Sequence, residues 1–325
     1  MASEKMKTMI GGQALIEGIL MRGPDKDAVV VRTADGIKTE VTKRAKQKDN
    51  SPLKWPLIRG VVNFFDAQIV GVKAIMRSAD LSPDDAEEPS KFDIWLEKKL
   101  GTEKFRSVTI GFASVLAIAM VIGLFFLLPM VIGSLFDGII ESNVIRNLIE
   151  GLVRIAIFFG YMILVSRMGE MKRVFAYHGA EHKTIRCYEA KLPLTVENAR
   201  EQTRLHPRCG TSFLLVVLIL SILLFSVASS ILLAAVPGLE AMRGTFLFKL
   251  IMIGFKLLLI PVVVSLGYEI NRLVGRHDNA FTRILTKPGM WFQKFTTNEP
   301  DDGMLEVAIT ALTAVLPEQE GADQW

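Results

Sequence analysis

Four long apolar runs decide what this chain can become. They cover Val108–Phe136, about Leu148–Ser166, Ser212–Val236 and Phe246–Tyr268. About 20 apolar residues in a row suffice for a helix to cross the hydrocarbon core of a bilayer. Lipid offers no partner to an open backbone, so each run is expected to be a helix. Mean hydropathy is +0.35 over 325 residues, half of them hydrophobic, because these runs concentrate the apolar side chains. The predicted class is a mainly α membrane protein: four transmembrane helices and a small β-containing cytoplasmic head at the amino terminus. Met1–Lys7 leads into a polar, glycine-rich stretch, so no cleavable signal peptide is expected.

Charge sets the orientation. The net charge is +4 and the isoelectric point near 9.0. Lys and Arg collect in the amino-terminal region, in Arg167–Arg208 and after Tyr268. The other two loops carry Asp137 and Glu141, and Glu240 and Arg243. The positive-inside rule puts the three basic regions in the cytoplasm, which an even number of spans allows. The expected location is the bacterial inner membrane, multi-pass, with both termini inside. The partners implied are the bilayer and an unidentified substrate or protein. No basic-aromatic motif points to direct nucleic-acid binding.

The expected organisation is a head over 1–81, a linker with a short helix over 82–106, a four-helix domain over 107–268 with a cytoplasmic His/Cys loop at 167–210, and a cytoplasmic tail over 269–325. In the head, Gly11–Pro24 reads as a strand and turn packed close to another backbone, with Glu17 and Arg22 as candidate site residues. Ala28–Arg32 and Ile37–Val41 flank an Asp-Gly turn and predict a hairpin. Lys43–Lys48 reads as a solvated basic stretch, and Ser82–Ser90 as an acidic linker. Pro56–Arg77 has helical period, with Ile58, Val61, Val62, Phe65, Ile69, Val72 and Met76 on one face. That helix either lies in the membrane interface or packs the β-element against the membrane part. Within the spans, Glu150 and Arg154 are spaced to pair on one face, and Lys256 is the strongest candidate for a buried polar contact.

The chemistry gathers between Tyr177 and Gly210, which hold three of the four histidines and both cysteines. His178-Gly179-Ala180-Glu181-His182 reads His-x-x-Glu-His. On a helix the two imidazoles share a face with the carboxylate at their flank, as a divalent metal and its general base require. The order is that of the inverted zinc-protease motif. The plainer alternative is a helix that exposes these side chains to water or caps them internally. His206 and Cys209 have ligand chemistry at a spacing that suits one metal. Cys187 and Cys209 are expected to be thiols rather than a bridge. Pro193 stops the histidine helix, and Thr195 caps a second short one. If the second span ran straight on, His182 would stand roughly 20 Å beyond its end, so a common site needs a bend, for which Gly169 and Gly179 are available. Glu269, at the end of the fourth span, is either a further carboxylate ligand or an exposed helix-end charge.

The stretches GGQALIEGILMRGP, PLIRG, AYHGAEHKTIRCYE, LTVENAR, HPRCGTSF and KPGMWFQKFTTNEPDDGMLEVAI resemble the YqhQ-like family of bacterial membrane proteins over nearly the whole chain. The resemblance implies an uncharacterised family with suggested metal-dependent enzymes and supplies no substrate. The positions that match its motifs are His178, Glu181, His182, His206 and Cys209, with Glu17 and Arg22. Two functions stand. One is a metal-dependent hydrolase, with zinc as the divalent ion, at the cytoplasmic membrane surface: His178 and His182 bind, His206 or Cys209 completes the site, and Glu181 is the general base. The other is a non-enzymatic scaffold or biogenesis factor, facing a ribosome or translocon, with a structural metal or none. A channel or transporter finds less support, because the spans show no inverted repeat.

Overall fold

The computed structural model describes residues 6–44, 51–82, 98–99, 101–136, 139–140, 142–277, 279–319 and 321–324. The expected linker from residue 83 to 97, the basic stretch from residue 45 on, and the loop acids Asp137 and Glu141 lie outside them. The chain divides into two compact units. One is Met1–Pro83, Met162–Ser221 and Ile260–Trp325; the other is Asp84–Tyr161 and Ile222–Leu259.

The first unit is built on an antiparallel meander in the order β1 (Gly11–Leu15), β2 (Gly18–Arg22), β3 (Lys26–Thr33), β4 (Gly36–Lys43). The expected hairpin is β3–β4, closed at Gly36 with φ +117°. The glycine-rich stretch supplies a second hairpin, β1–β2, whose two-residue turn puts Glu17 at φ +49°. Alternation then separates two faces. Ile19, Met21, Ala28 and Val30 enter the main core with Tyr177, Ala180, Leu305, Ala308 and Leu312, while Leu15 and Leu20 turn to Ala74 on the other side. β4 is exposed throughout and carries Lys38, Glu40 and Lys43, the charges that keep an edge strand from pairing with a neighbour.

Helix α1 (Ile58–Leu81) covers the second face, and the face it buries is the small-residue one: Gly60, Gly71, Ala74 and Ser78. A Cβ on Gly71 would stand 2.3 Å from Gln13 Oε1, and one on Gly60 2.9 Å from Ser265 Cα. Close approach, not bulk, makes this contact. Ile58, Phe65, Ile69 and Val72 of the expected apolar stripe are left exposed.

Among the described residues, four helices are long and apolar enough to cross a membrane: Val108–Ser134, Val144–Val165, Gly210–Ala235 and Phe246–Arg276. The first comprises α2 (Thr102–Ile122), a π-helical turn (Gly123–Leu127) and α3 (Leu128–Ser134). The others are α4 (Asn143–Val165), α7 (Gly210–Ala235) and α9 (Phe246–Arg276). Between α4 and α7 lie α5 (Gly169–Glu189) and the short α6 (Val196–Arg200), capped by Thr195 as expected. A five-residue helix α8 (Pro237–Ala241) joins α7 to α9, and α10 (Ala280–Thr296) and α11 (Asp302–Val315) close the chain.

In the second unit the intrahelical charges pair differently from expectation. Glu150 takes Lys256 at 2.6 Å, so Lys256 does make the buried contact, and Arg154 turns elsewhere. Pro129 has no N–H for the carbonyl four residues back, Phe125. Arg154 Nε donates to that carbonyl at 2.8 Å, and its guanidinium lies over the Phe126 and Phe225 rings.

Candidate metal centre

The break that a common site requires falls at Ser166–Met168, where α4 ends and a separate helix, α5, starts at Gly169. Gly179 is not a bend. It lies inside α5 because another backbone passes there, and a Cβ would stand 2.0 Å from the Asn298 carbonyl oxygen.

Helix α5 is polar, yet every residue from Phe175 to Ile185 is buried. Burial of that kind is tolerable only when the polar atoms find partners. Irregular segments supply them as backbone carbonyls. Lys183 Nζ donates to Arg200 O at 2.9 Å, His182 Nδ1 to Arg204 O at 2.6 Å, and Arg186 Nε to Leu205 O at 2.6 Å. On the other flank His178 Nδ1 donates to Thr296 O at 2.8 Å. The Gln293 amide pins the segment that carries Cys209: its Oε1 accepts from His206 N, and its Nε2 donates to His206 O and Ser212 Oγ.

These bonds fix both histidine tautomers. In the neutral form of each ring, a proton on Nδ1 leaves Nε2 a lone pair, and a fixed Nδ1–H of this kind prepares an imidazole for a metal. His178 Nε2 lies 3.1 Å from Cys209 Sγ. His182 is 1% exposed, and its Nε2 has no partner. The ligand atoms of His178, His182 and Cys209 all lie within 4.8 Å of one another. Around a tetrahedral zinc, such atoms stand roughly 3.4–3.6 Å apart, so the set fits an ion after small side-chain adjustments. Glu181 flanks it: Oε1 accepts from Gly12 N–H at 2.9 Å, and Oε2 is buried without a partner.

The electrostatics follow from crowding. Burial opposes charge on His178, but the Cys209 thiolate and Glu181 outweigh it and push the imidazole up to about 9. Burial also opposes the Cys209 thiolate, yet the charges of His182 and His178, with the hydrogen bond from His178, hold the thiol well below its usual range. Glu181 is raised by burial, against the pull of both histidines.

The other predicted residues stand apart from this set. His206 is buried, but its Nε2 meets Glu189 at 3.3 Å, and Glu189 also takes Arg208. Its ring lies 5.6 Å from that of His182, so it backs the cluster without joining the three ligands. Glu17 is clamped by Arg173 at 2.5 and 2.6 Å and accepts from Tyr177 Oη at 3.2 Å. Arg22 bridges Asp27 and Asp66, and Glu269 pairs with Arg59. All three brace the head. Cys187 is a buried free thiol within the core. Sequence reasoning did not reach Gly12, Arg204, Gln293 or Thr296. Three of them act through backbone atoms, which no side-chain pattern betrays; Gln293 carried no signal.

One side of the cluster opens into a cavity of about 540 Å³ in the same unit, bounded by His178, Glu181, Cys209, β1, α1 and the adjoining ends of α7 and α9. Two comparisons place the chain among known proteins. It is 31% identical over 320 residues to the uncharacterized protein YqhQ of Bacillus subtilis (strain 168), covering 97% of this chain and 95% of that protein. No solved structure matches it. Residues 55–318 match DUF1385, described as a protein family of unknown function, and the chain belongs to that family.

Proposed function

We propose that the protein is a zinc-dependent hydrolase working at the cytoplasmic surface of the inner membrane. The observation that carries this reading is His182 Nε2, a buried lone pair without a partner, turned toward another imidazole and a thiolate. An unpaired buried polar atom costs about 1–3 kcal/mol, and Glu181 Oε2 adds a second one beside it. A divalent cation satisfies the first, and a water held next to it satisfies the second.

Three protein ligands leave a tetrahedral ion one open position, the mark of a catalytic site. When bound, zinc polarises a carbonyl and acidifies water. Glu181 would accept and hold a proton on Oε2, since Gly12 N–H occupies Oε1. Burial raises this carboxyl above its ordinary range, against the pull of both histidines, the direction that makes a carboxylate more basic. The bonds from His178 to Thr296 O and from His182 to Arg204 O hold both rings still through the reaction. Membrane location is supported by the four apolar helices and by the exposed face of α1, where Ile58, Phe65, Ile69 and Val72 suit the interface. The basic character of residues 167–208 supports a cytoplasmic site.

A second reading, a cysteine nucleophile activated by His178, draws on the 3.1 Å Nε2–Sγ contact. It leaves His182 Nε2 without a task. Metal analysis of purified protein separates the two. The expected result is one zinc per chain in the wild type, lost in His182→Ala and Cys209→Ser and kept in Glu181→Gln, which loses hydrolysis. A wild type that takes up no zinc after reconstitution overturns the proposal. Zinc retained with no turnover of any acyl substrate returns the scaffold reading with a structural ion.

A further inference from the structure

The cavity beside the cluster has an unpaired strand edge for one wall. β1 is the outer strand of the meander, and residues Gly12, Gln13 and Ala14 line the cavity. The two-residue turn makes Leu15 and Gly18 a hydrogen-bonded pair, so Gln13↔Leu20 and Gly11↔Arg22 are hydrogen-bonded pairs too. Gly12 and Ala14 therefore direct their N–H and C=O groups away from β2. The Gly12 N–H confirms the alternation by reaching outward to Glu181 Oε1. No hydrogen bond among the described residues engages the N–H or C=O of Ala14. The free edge thus begins one short step, roughly 7 Å, from the residue that holds the general base.

The remaining walls say what pairs with it. Phe64, Phe213 and Leu214 are apolar, and Gln13, Asn63, Gln68 and Asn271 bring uncharged amides. Apart from the cluster residues themselves, no charged side chain among the described residues lines the cavity. Away from the cluster, a phosphate headgroup or a free terminus finds no counter-charge among the described residues. An internal stretch of apolar peptide finds amide partners, apolar walls and a strand to extend.

We infer that the site takes an extended, apolar, internal peptide segment, which adds to the sheet as a strand beside β1. The inference rests on the hydrolase reading. It specifies the reaction as peptide hydrolysis: water oxygen bonds to the carbonyl carbon, the C–N bond breaks, and the proton taken by Glu181 leaves on the amine nitrogen. The volume lies within the usual range for ligand pockets and suits a few residues at a time.

The test reads binding rather than turnover, so its outcome is separate from the zinc analysis. A fluorescent tetrapeptide, Leu-Phe-Leu-Ala blocked at both ends, is titrated into the full chain in nanodiscs, with zinc and after chelation. Proline at position 14 deletes an outward N–H and leaves the β2 ladder whole. The Ala14→Pro variant, checked for zinc content and thermal unfolding, is expected to bind at least tenfold more weakly. The wild type is expected to lose the same factor for a peptide N-methylated at alternate amides. This second arm needs no variant to fold, and N-methylation makes the probe more apolar, so non-specific uptake moves the other way. Equal affinity for the plain and N-methylated peptides overturns the inference, as does displacement of the peptide by lysophosphatidylglycerol better than by unlabelled peptide. Weak binding of the peptide in both metal states overturns it as well, with the zinc site left standing.

Discussion

Gly179→Ala pits two opposed effects against each other, and the structure says which prevails. In an ordinary helix interior, Ala is about 1 kcal/mol better than Gly. At this position the new Cβ would stand 2.0 Å from the Asn298 carbonyl oxygen, where ordinary contact starts at 3.4 Å. The obstacle is backbone, not the tip of a flexible side chain, so the 296–298 segment has to retreat by more than an ångström. That segment is tied to α5 by Asn298 N–H to Phe175 O at 2.8 Å, by Asn298 Nδ2 to Lys172 O at 3.1 Å, and by Thr296 O, which accepts from His178. Losing two or three such bonds at about 1 kcal/mol each, with an overpacking cost of about 1–3 kcal/mol, outweighs the helix gain. The net expectation is destabilisation by about 2–5 kcal/mol. The loss also reaches the site, because His178 no longer has a fixed tautomer. Thermal unfolding in detergent and zinc content are the assays, with Gly169→Ala as control, since a Cβ there meets open space. If Gly179→Ala unfolds with the wild type and keeps its zinc, then neither the close approach nor the Thr296 carbonyl has the role assigned to it.

Two further outcomes are expected elsewhere in the chain. Burial holds His206 down at about 4, against the upward pull of Glu189, whereas an unfolded histidine titrates at about 6.5. Between those values the unfolded chain holds the extra proton, so stability falls on acidification, by up to about 3 kcal/mol at the lower end. Glu189, held down chiefly by His206 and Arg208 against its burial, acts in the same direction at lower pH. Unfolding followed from pH 7 to 4 is expected to show this slope in the wild type and a flatter one in His206→Gln; equal slopes refute the assignment. In the second unit, Lys256→Met leaves the half-buried Glu150 without its partner and is expected to cost up to about 3 kcal/mol, while Lys256→Met with Glu150→Leu recovers most of it. A double variant as unstable as the single one would show that the pair does not matter as a pair.

What the sequence made legible, and what it hid, divides by the kind of force involved. The four apolar runs were readable because hydropathy reports the part of a helix that lipid must cover. The fourth helix nevertheless continues from Tyr268 to Arg276, where polar residues extend it without altering the run. The Asp-Gly hairpin was readable from local turn chemistry. The Ile16-Glu17 turn was not, because Glu17 is held in its left-handed conformation by Arg173 and Tyr177, more than 150 residues away in sequence. On α1 the periodicity pointed at the large apolar residues, but the face that touches protein is Gly60, Gly71, Ala74 and Ser78. A moment calculated from hydrophobicity cannot see a contact made by the lack of a side chain.

The candidate metal set shows the same division within a few residues. His178 and His182 could be paired from their spacing alone, because both sit on one helix and the helix fixes their geometry. Choosing between His206 and Cys209 needed tertiary facts. His206 carries the right chemistry, but Glu189 lies about two helical turns beyond His182 on the same helix and reaches across to claim it. Cys209 is left facing the two imidazoles, at the point where the Gln293 amide anchors the turn before α7. The tautomers depend on Arg204 O and Thr296 O, carbonyls that every residue type owns and that composition therefore never marks. A polar helix buried along its length has to recruit such groups from whatever backbone lies beside it. Among the buried atoms of this shell that were given no such partner are His182 Nε2 and Glu181 Oε2, the two that the proposed metal and its water would need.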